Sequence, residues 1–234
     1  KTLARRLASI KSLNKFLLKN KIVNANIAIL VKTPKIPKNL PHYLSLEEVR
    51  RILILPEGDD EFALRDRLIL ELFYATGIRI SELVMIRFKD IRHEEGLIFI
   101  RGKGSKERFV IFGKKARITL DNYIKLLVDR SMHGDDYYLF PSMRKNKNDI
   151  LDHISQRTIF NIVKRYMRKI SDDEKLSPHS LRHTFATHML NNGADIMAIK
   201  DLLGHGSLSS TQVYTHLQPK KLKKIHKQAH PYGK

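Results

Sequence analysis

A proline-rich segment divides this chain into two parts of very different length. The segment Lys32-Thr-Pro-Lys-Ile-Pro-Lys-Asn-Leu-Pro41 contains three prolines. Proline fixes its own φ and lacks an amide proton, so such a run forms neither a helix nor a central strand. We therefore expect a stiff, extended linker over residues 32–42. About thirty residues precede it, too few for an independent domain. Residues 1–31 are thus expected to be the end of a domain cut away upstream, and residues 43–234 the main domain.

Helical periodicity dominates the rest of the sequence. Apolar residues recur every three or four positions from Leu3 to Leu17, which predicts an amphipathic helix. In the main domain, Ser45-Leu-Glu-Glu48 is a capping box and marks the start of a helix. Periodicity and capping signals predict helices at Ser45–Ile54, Arg65–Tyr74, Ala116–Arg130, Ser155–Ile170, Ser180–Leu190, Asp195–Leu203 and Ser209–Leu217.

One stretch has the composition of strands instead. Leu97–Ile100 and Arg108–Phe112 are rich in β-branched and aromatic residues, and they flank Gly102-Lys-Gly-Ser-Lys-Glu107. This pattern predicts a β-hairpin with a glycine-rich, cationic turn. A further strand near Phe88 is expected to complete the sheet. The predicted fold class is therefore mainly α with a small antiparallel β-sheet.

The charge of the chain restricts the class of partner. Lys and Arg total 44 against 24 Asp and Glu, which gives a formal net charge of +20. Self-repulsion of that size opposes compaction, so a polyanion is the expected partner: nucleic acid first, an anionic membrane surface second. A merely basic surface is the alternative that needs no partner.

The chain has no cysteine, which excludes disulfides, thiol nucleophiles and thiolate metal sites and fits a cytoplasmic location. No apolar run reaches the roughly 18 residues of a membrane span.

Four segments carry polar side chains suited to chemistry on a phosphate. They are Thr76–Leu83 with Arg79 and Glu82, Gly102–Gly104 with Lys103, Pro178–His188 with His179 and Arg182, and Leu203–His216 with His205 and Tyr214. Each of these residues alone has an ordinary structural explanation, such as an arginine in an ion pair or a half-buried tyrosine. The additional histidines His183, His188 and His216 match no metal-binding spacing, and we interpret His183 and His188 as packing residues.

Taken together and in this order, the segments resemble the tyrosine recombinase (phage integrase) family. The sequences TGIRISEL, GKGSKERFV, SPHSLRHTFATHML and LLGHGSLSSTQVYTH most resemble the Xer-type chromosome-dimer recombinases, from about Lys32 to the end. The resemblance implies that residues 1–31 are a remnant of an N-terminal core-binding domain. It also implies that Tyr214 attacks the scissile phosphate, and that the surrounding residues are Arg79, Lys103, His179, Arg182 and His205.

The chemistry of phosphodiester cleavage requires residues of these kinds. Attack adds negative charge to the nonbridging oxygens, and two guanidiniums can clamp them while remaining charged. The resemblance assigns Lys103 as proton donor to the leaving 5′-oxygen, His179 as proton acceptor from the tyrosine, and His205 as a hydrogen-bond donor to the phosphate. Glu82, one turn after Arg79, is expected to orient that arginine. We expect further DNA contacts from cations of the linker and the hairpin: Lys32, Lys35, Lys106 and Arg108.

The resemblance implies a complete reaction and its partners. A 3′-phosphotyrosine preserves the energy of the broken bond, so neither ATP, a metal nor any other cofactor is expected. The implied substrate is a pair of short, roughly palindromic double-stranded DNA sites held by a homo-tetramer, or by a hetero-tetramer with a sister recombinase. A DNA translocase at the division septum is a further implied partner. Three alternatives remain open: an integrase of a phage or mobile element, a type IB topoisomerase, and a DNA-binding regulator without activity.

The basic tail after Tyr214 needs a surface on which to dock. Leu222, Ile225 and Ala229 recur at helical spacing among lysines, and so narrow an apolar stripe forms no core of its own. Docking on its own domain is one outcome. The resemblance implies the other, an oligomerisation helix that docks on a neighbouring protomer around a closed ring.

Overall fold

A computed structural model describes residues 2–34, 42–102, 107–145, 151–204 and 217–233. The chain forms two compact units, Lys1–Leu40 and Pro41–Lys234. The first contains the helix α1, Thr2–Lys19, and a 3₁₀ helix, Ile27–Leu30. Of its described residues only Ala4 and Ala28 are buried, so this unit lacks a hydrophobic core. Within the described part of the chain, no helix combines the length and the hydropathy that a membrane crossing requires.

The second unit is mainly helical, as the sequence predicts. Its helices are α2 Leu46–Ile54, α3 Glu61–Thr76, α4 Ile80–Leu83, α5 Lys114–Asp129, α6 Gln156–Met167, α7 Pro178–Asn191, α8 Ile196–Leu203 and α9 Leu217–Ala229. The strands are β1 Ile91–Arg92, β2 Leu97–Arg101, β3 Glu107–Ile111, β4 Pro141–Lys145 and β5 Leu151–His153. The predicted helix at Ser209–Leu217 lies almost entirely outside the described residues.

The small antiparallel sheet confirms the two predicted strands and their pairing, while residues 103–106 of the predicted turn lie outside the described residues. β2 pairs with β3 in a register that places Ile100 opposite Arg108, and β1 pairs with the other edge of β2. β1 is the strand expected near Phe88, and it completes the sheet three residues further along the chain. Phe88–Asp90 itself forms a 3₁₀ helix, in which Asp90 Oδ2 accepts from the Arg87 amide at 3.0 Å. A second hairpin, β4–β5, was not predicted from the sequence.

Helix α3 lies at the centre of the unit. Eleven of its sixteen residues are buried, and it packs between α5 and α7 with further contacts to α2 and α6. The helix begins at Asp60, whose side chain accepts from the amides of Phe62 and Ala63 at 2.8 and 3.1 Å. It ends at Gly77 in the left-handed conformation, with φ +60°. This rigid central helix therefore fixes the position of the residues that follow Gly77.

The tail helix α9 docks on its own domain. It packs against α7, α8 and β3, and Ala229 is 3 % exposed. Asn192 at the end of α7 donates to the Ala229 carbonyl at 2.7 Å. The helix begins at Leu217, with Pro219 in its first turn. Proline is tolerated there because the amides of the first turn have no hydrogen-bond partner within the helix. In this single chain α9 thus contacts its own domain, and docking on a neighbouring protomer stays a prediction.

Candidate active site

Arg79 lies at the junction between α3 and α4. The chain leaves α3 through Gly77, and a Cβ added there would lie 2.6 Å from both Leu203 Cδ2 and Phe185 Cδ1. Glycine is required here for two reasons: the backbone has a positive φ, and the side chains of α7 and α8 pack too closely for a Cβ. Arg79 is the N-cap of α4, and its side chain is 34 % exposed. The guanidinium thus lies at the surface while its backbone is fixed.

Glu82 anchors Arg79, as expected from their spacing. Its Oε2 accepts from the Arg79 amide at 2.8 Å and its Oε1 accepts from Arg79 Nη1 at 2.8 Å. Burial alone would raise the pKa of this carboxyl, but Arg108 and Arg79 outweigh burial and lower the pKa to about 2. Glu82 is therefore a buried, ionised anchor at neutral pH.

Arg182 comes from α7 and is buried at 8 % exposure. At the start of this helix Ser180 Oγ accepts from the Ser177 amide at 3.2 Å, and Pro178 occupies the first turn. One Arg182 Nη donates to the Gly77 carbonyl and the other to the Leu203 carbonyl, the latter at 2.6 Å. Burial, with the neighbouring charges of Arg79 and Arg108, lowers the pKa of Arg182 to about 10. The guanidinium still remains protonated at neutral pH.

Arg108 does not lie where the sequence interpretation placed it. We expected a DNA contact, but its side chain is 5 % exposed and points inward from β3. Its Nη1 and Nη2 donate to Glu82 Oε1 and Oε2 at 2.9 and 2.8 Å. Arg108 lies on the same face of β3 as Val110, which is buried, so the alternation of the strand sets the direction of this side chain despite its charge.

These residues form a cluster of net positive charge. Arg79, Arg108 and Arg182 carry three positive charges, and Glu82, which contacts two of them, carries one negative charge. Like charges close together in a poorly solvated place repel, so an anion that binds there is favoured. A planar guanidinium offers paired donors that match the oxygens of a phosphate. The arrangement is therefore suited to binding an oxyanion and to stabilising charge that develops on it.

The remaining predicted residues are only partly described. His179, in the first turn of α7, is exposed, and Lys32 in the first unit is exposed as well. Several others lie outside the described residues, namely Lys35, Lys103, Lys106, His205 and Tyr214. The structure therefore brings together Arg79, Glu82 and Arg182 from the predicted set.

The other histidines have structural surroundings. His188 is 6 % exposed, and its Nδ1 lies 3.0 Å from the Tyr74 hydroxyl. The His183 ring meets the Tyr43 ring edge-on at 6.1 Å. His216 lies outside the described residues. Across the described ranges, no group of three or more histidine and carboxylate side chains could hold a metal ion.

Comparison with known proteins identifies relatives along nearly the whole chain. The model of the phage integrase family matches residues 42–221. The tyrosine recombinase XerC of Pelotomaculum thermopropionicum is 39 % identical, over all of this chain and 76 % of that protein. The tyrosine recombinase XerD of Proteus mirabilis is 40 % identical, over 98 % of this chain and 72 % of that protein.

Solved structures show the same fold. The crystal structure of XerA recombinase is 31 % identical with a TM-score of 0.59, over 97 % of this chain and 76 % of that one. XerH, a site-specific recombinase bound to its palindromic difH substrate after cleavage, is 26 % identical with a TM-score of 0.58, over 80 % of this chain and 52 % of that one. Since the family model spans most of the chain and the relatives align along nearly all of it, this chain belongs to the phage integrase family and is a tyrosine recombinase.

Proposed function

We propose that this protein is a site-specific DNA recombinase that cuts and rejoins DNA strands through a 3′-phosphotyrosine. The observation that carries the proposal is the cluster of Arg79, Arg108 and Arg182 around Glu82, whose net positive charge suits a phosphodiester. Binding alone would require cations at the surface. Arg182 is instead buried and held by two backbone carbonyls, so its guanidinium is fixed in place, as a donor that stabilises developing charge without reorganisation must be.

Each catalytic residue has a defined task in the proposed reaction. Tyr214 attacks the phosphorus and forms the 3′-phosphotyrosine, while the 5′-oxygen leaves with a proton from Lys103. Arg79 and Arg182 bind the nonbridging oxygens, His205 donates a further hydrogen bond, and His179 accepts the tyrosine proton. A 5′-hydroxyl from another duplex then attacks the phosphotyrosine and releases Tyr214. Because the bond energy is conserved, the reaction needs no ATP and no metal.

We propose a Xer-like cellular role: the resolution of chromosome dimers before division, in the cytoplasm. The relatives at 39 % and 40 % identity, named XerC and XerD, favour this role over that of a phage or mobile-element integrase. The substrate in this proposal is a pair of short palindromic double-stranded sites, as for XerH, whose substrate is palindromic. Four protomers hold them, as a homo-tetramer or with a sister recombinase, and a DNA translocase at the division septum controls the exchange.

The test separates this function from its two alternatives. A supercoiled plasmid with two copies of a candidate site is incubated with the protein in EDTA, and the reaction is stopped with detergent. A recombinase gives covalent protein–DNA adducts and recombinant products that depend on both sites. A type IB topoisomerase would give adducts and relaxed plasmid without any dependence on the sites. Absence of adducts would identify a DNA-binding regulator and contradict the proposal.

A further inference from the structure

The last three carbonyls at the C-terminal end of α8 each accept a hydrogen bond from a different arginine. The Leu202 carbonyl accepts from Arg108 Nε at 2.9 Å and the Leu203 carbonyl from Arg182 Nη2 at 2.6 Å. The Gly204 carbonyl accepts from Arg79 Nη2 at 3.4 Å. Carbonyls at the end of a helix lack intrahelical partners and carry the negative end of its dipole, so guanidiniums satisfy them well.

Arg108 connects these carbonyls to Glu82. Its Nε bonds to α8 while its two Nη atoms hold both oxygens of Glu82. Glu82 in turn binds the amide and the guanidinium of Arg79. Removal of Arg108 would therefore leave a buried carboxylate with one cation instead of two, and that carboxylate would pull Arg79 toward itself.

The surroundings of Arg108 leave little freedom for a different arrangement. Gly204 has φ +66°, and a Cβ added there would lie 3.0 Å from Arg108 Nη1 and 3.2 Å from its Cζ. The guanidinium thus packs directly against the residue that precedes His205. On the other side, β3 begins at Glu107, four positions after Lys103 in the sequence. Arg108 therefore touches the elements that lead to three of the proposed catalytic residues.

We infer that Arg108 is a positioning residue for strand cleavage: it fixes Glu82, and through it the Arg79 guanidinium, against the end of α8. This inference rests on the proposed function. Arg108 contacts no DNA in this role, in contrast to the expectation from its charge. It acts through Arg79, so its loss weakens the stabilisation of negative charge on the nonbridging phosphate oxygens.

The test compares two scissile linkages in single-turnover cleavage. One substrate has the natural phosphodiester, and the other has a methylphosphonate, in which a neutral methyl group replaces one charged oxygen. The variants are Arg108→Met and Arg108→Lys. The control is Arg101→Met in the same hairpin, because Arg101 also has a carboxylate partner, Asp90 at 2.8 Å, but is 51 % exposed. Circular dichroism confirms that each variant is folded.

We expect Arg108→Met to cleave the phosphodiester about 100-fold more slowly, by analogy with the loss of one preorganised donor. The loss on the methylphosphonate is expected to be several-fold smaller, since that linkage depends less on Arg79. Arg108→Lys should restore little, because an ammonium lacks the planar fork. Arg101→Met should cleave both substrates at the wild-type rate.

Three results would overturn the inference. One is a folded Arg108→Met variant that cleaves the phosphodiester as fast as wild type, and another is equal losses on the two linkages, as a purely structural role would give. If Arg108→Met does not fold, Arg108→Lys takes its place in the test. A ratio of its cleavage rates on the phosphodiester and the methylphosphonate equal to that of wild type contradicts the inference. Failure of the proposed function differs from all of these, because wild type itself would then form no adduct on either substrate.

Discussion

At the scale of single residues, burial decides what each arginine can do. Arg79 is one-third exposed, whereas Arg182 and Arg108 are almost fully buried and donate to carbonyls or to Glu82. A buried charge without partners is strongly unfavourable, so each guanidinium is fixed by several hydrogen bonds. That rigidity favours catalysis, because donors that are already oriented need no reorganisation when charge develops on the phosphate.

The first prediction concerns the two proposed phosphate clamps. Arg79→Ala and Arg182→Ala should each reduce strand cleavage by at least about 100-fold, since each removes a preorganised donor. Arg182→Ala should also lower the unfolding temperature, because it removes the bonds to the Gly77 and Leu203 carbonyls. The assay is adduct formation on a nicked DNA site, with the exposed Arg51→Ala as the control. Cleavage close to the wild-type rate in either alanine variant would contradict the assignment.

The second prediction concerns Gly77 and has a matched control in Gly193. Both have positive φ, but a Cβ on Gly77 would collide with Leu203 and Phe185, whereas a Cβ on Gly193 meets no described atom within 4 Å. Gly193→Ala should cost about 1–2 kcal/mol in the free energy of unfolding, from backbone strain alone. Gly77→Ala should cost about 1–3 kcal/mol more through overpacking. Urea unfolding measures both, and equal losses would argue against the close contact.

How far the site follows from the sequence depends on the residue. The motif order predicts the grouping of Arg79 with Arg182, and the three-residue spacing predicts the contact between Glu82 and Arg79. The inward direction of Arg108 is set by its register in β3, opposite the buried Ile100, and was missed because its charge was weighed above the strand period. The bonds to the end of α8 depend on helix packing, which local patterns do not encode.

At the scale of elements, the tail helix α9 is held by two buried histidines. The rings of His226 and His230 stack at 4.6 Å, and their Nε2 atoms donate to the Ala75 and Tyr74 carbonyls at 2.9 and 3.0 Å. His230 Nδ1 accepts from the Tyr232 amide at 3.1 Å. The His230 ring is therefore neutral, and protonation at Nδ1 would break that last bond. The apolar stripe of Leu222, Ile225 and Ala229 predicted a docked helix, but not this buried histidine pair.

The third prediction follows from this pair. Burial, assisted by His226, lowers the pKa of His230 to about 3, while the unfolded chain takes up a proton near pH 6.5. Stability from His230 is thus fully present above pH 6.5 and is lost as the pH falls toward 3. Between pH 7.5 and 5.5 the free energy of unfolding should fall by about 1 kcal/mol from His230 alone.

The matched variant for that measurement is His230→Phe, which keeps an aromatic ring in the stack and removes the titrating group. It should be less stable than wild type at pH 7.5, because two hydrogen bonds are lost, but its stability should change less between the two pH values. Urea unfolding at both pH values gives the comparison. An identical pH dependence in the two proteins would show that His230 does not titrate in this way.

At the scale of the whole molecule, the net charge of +20 sets the mode of DNA binding. The fourth prediction is that affinity for a duplex falls steeply with salt, with a log–log slope of about −0.9 for each phosphate neutralised. Fluorescence anisotropy of a labelled duplex between about 50 and 200 mM salt measures the slope. With six or more phosphate contacts, the affinity should fall roughly a thousandfold over that range. A flat response would mean that the charge serves another purpose.

The fifth prediction tests the central claim, that Tyr214 is the nucleophile. The tyrosine is replaced in the full chain by Tyr214→Phe, and both proteins are incubated with a DNA site that traps the cleaved strand. Wild type should form a detergent-resistant adduct in which protein is joined to the 3′-phosphate. The phenylalanine variant should form none, yet bind the duplex with nearly unchanged affinity, because affinity comes from many phosphate contacts. An adduct formed by Tyr214→Phe would contradict the claim.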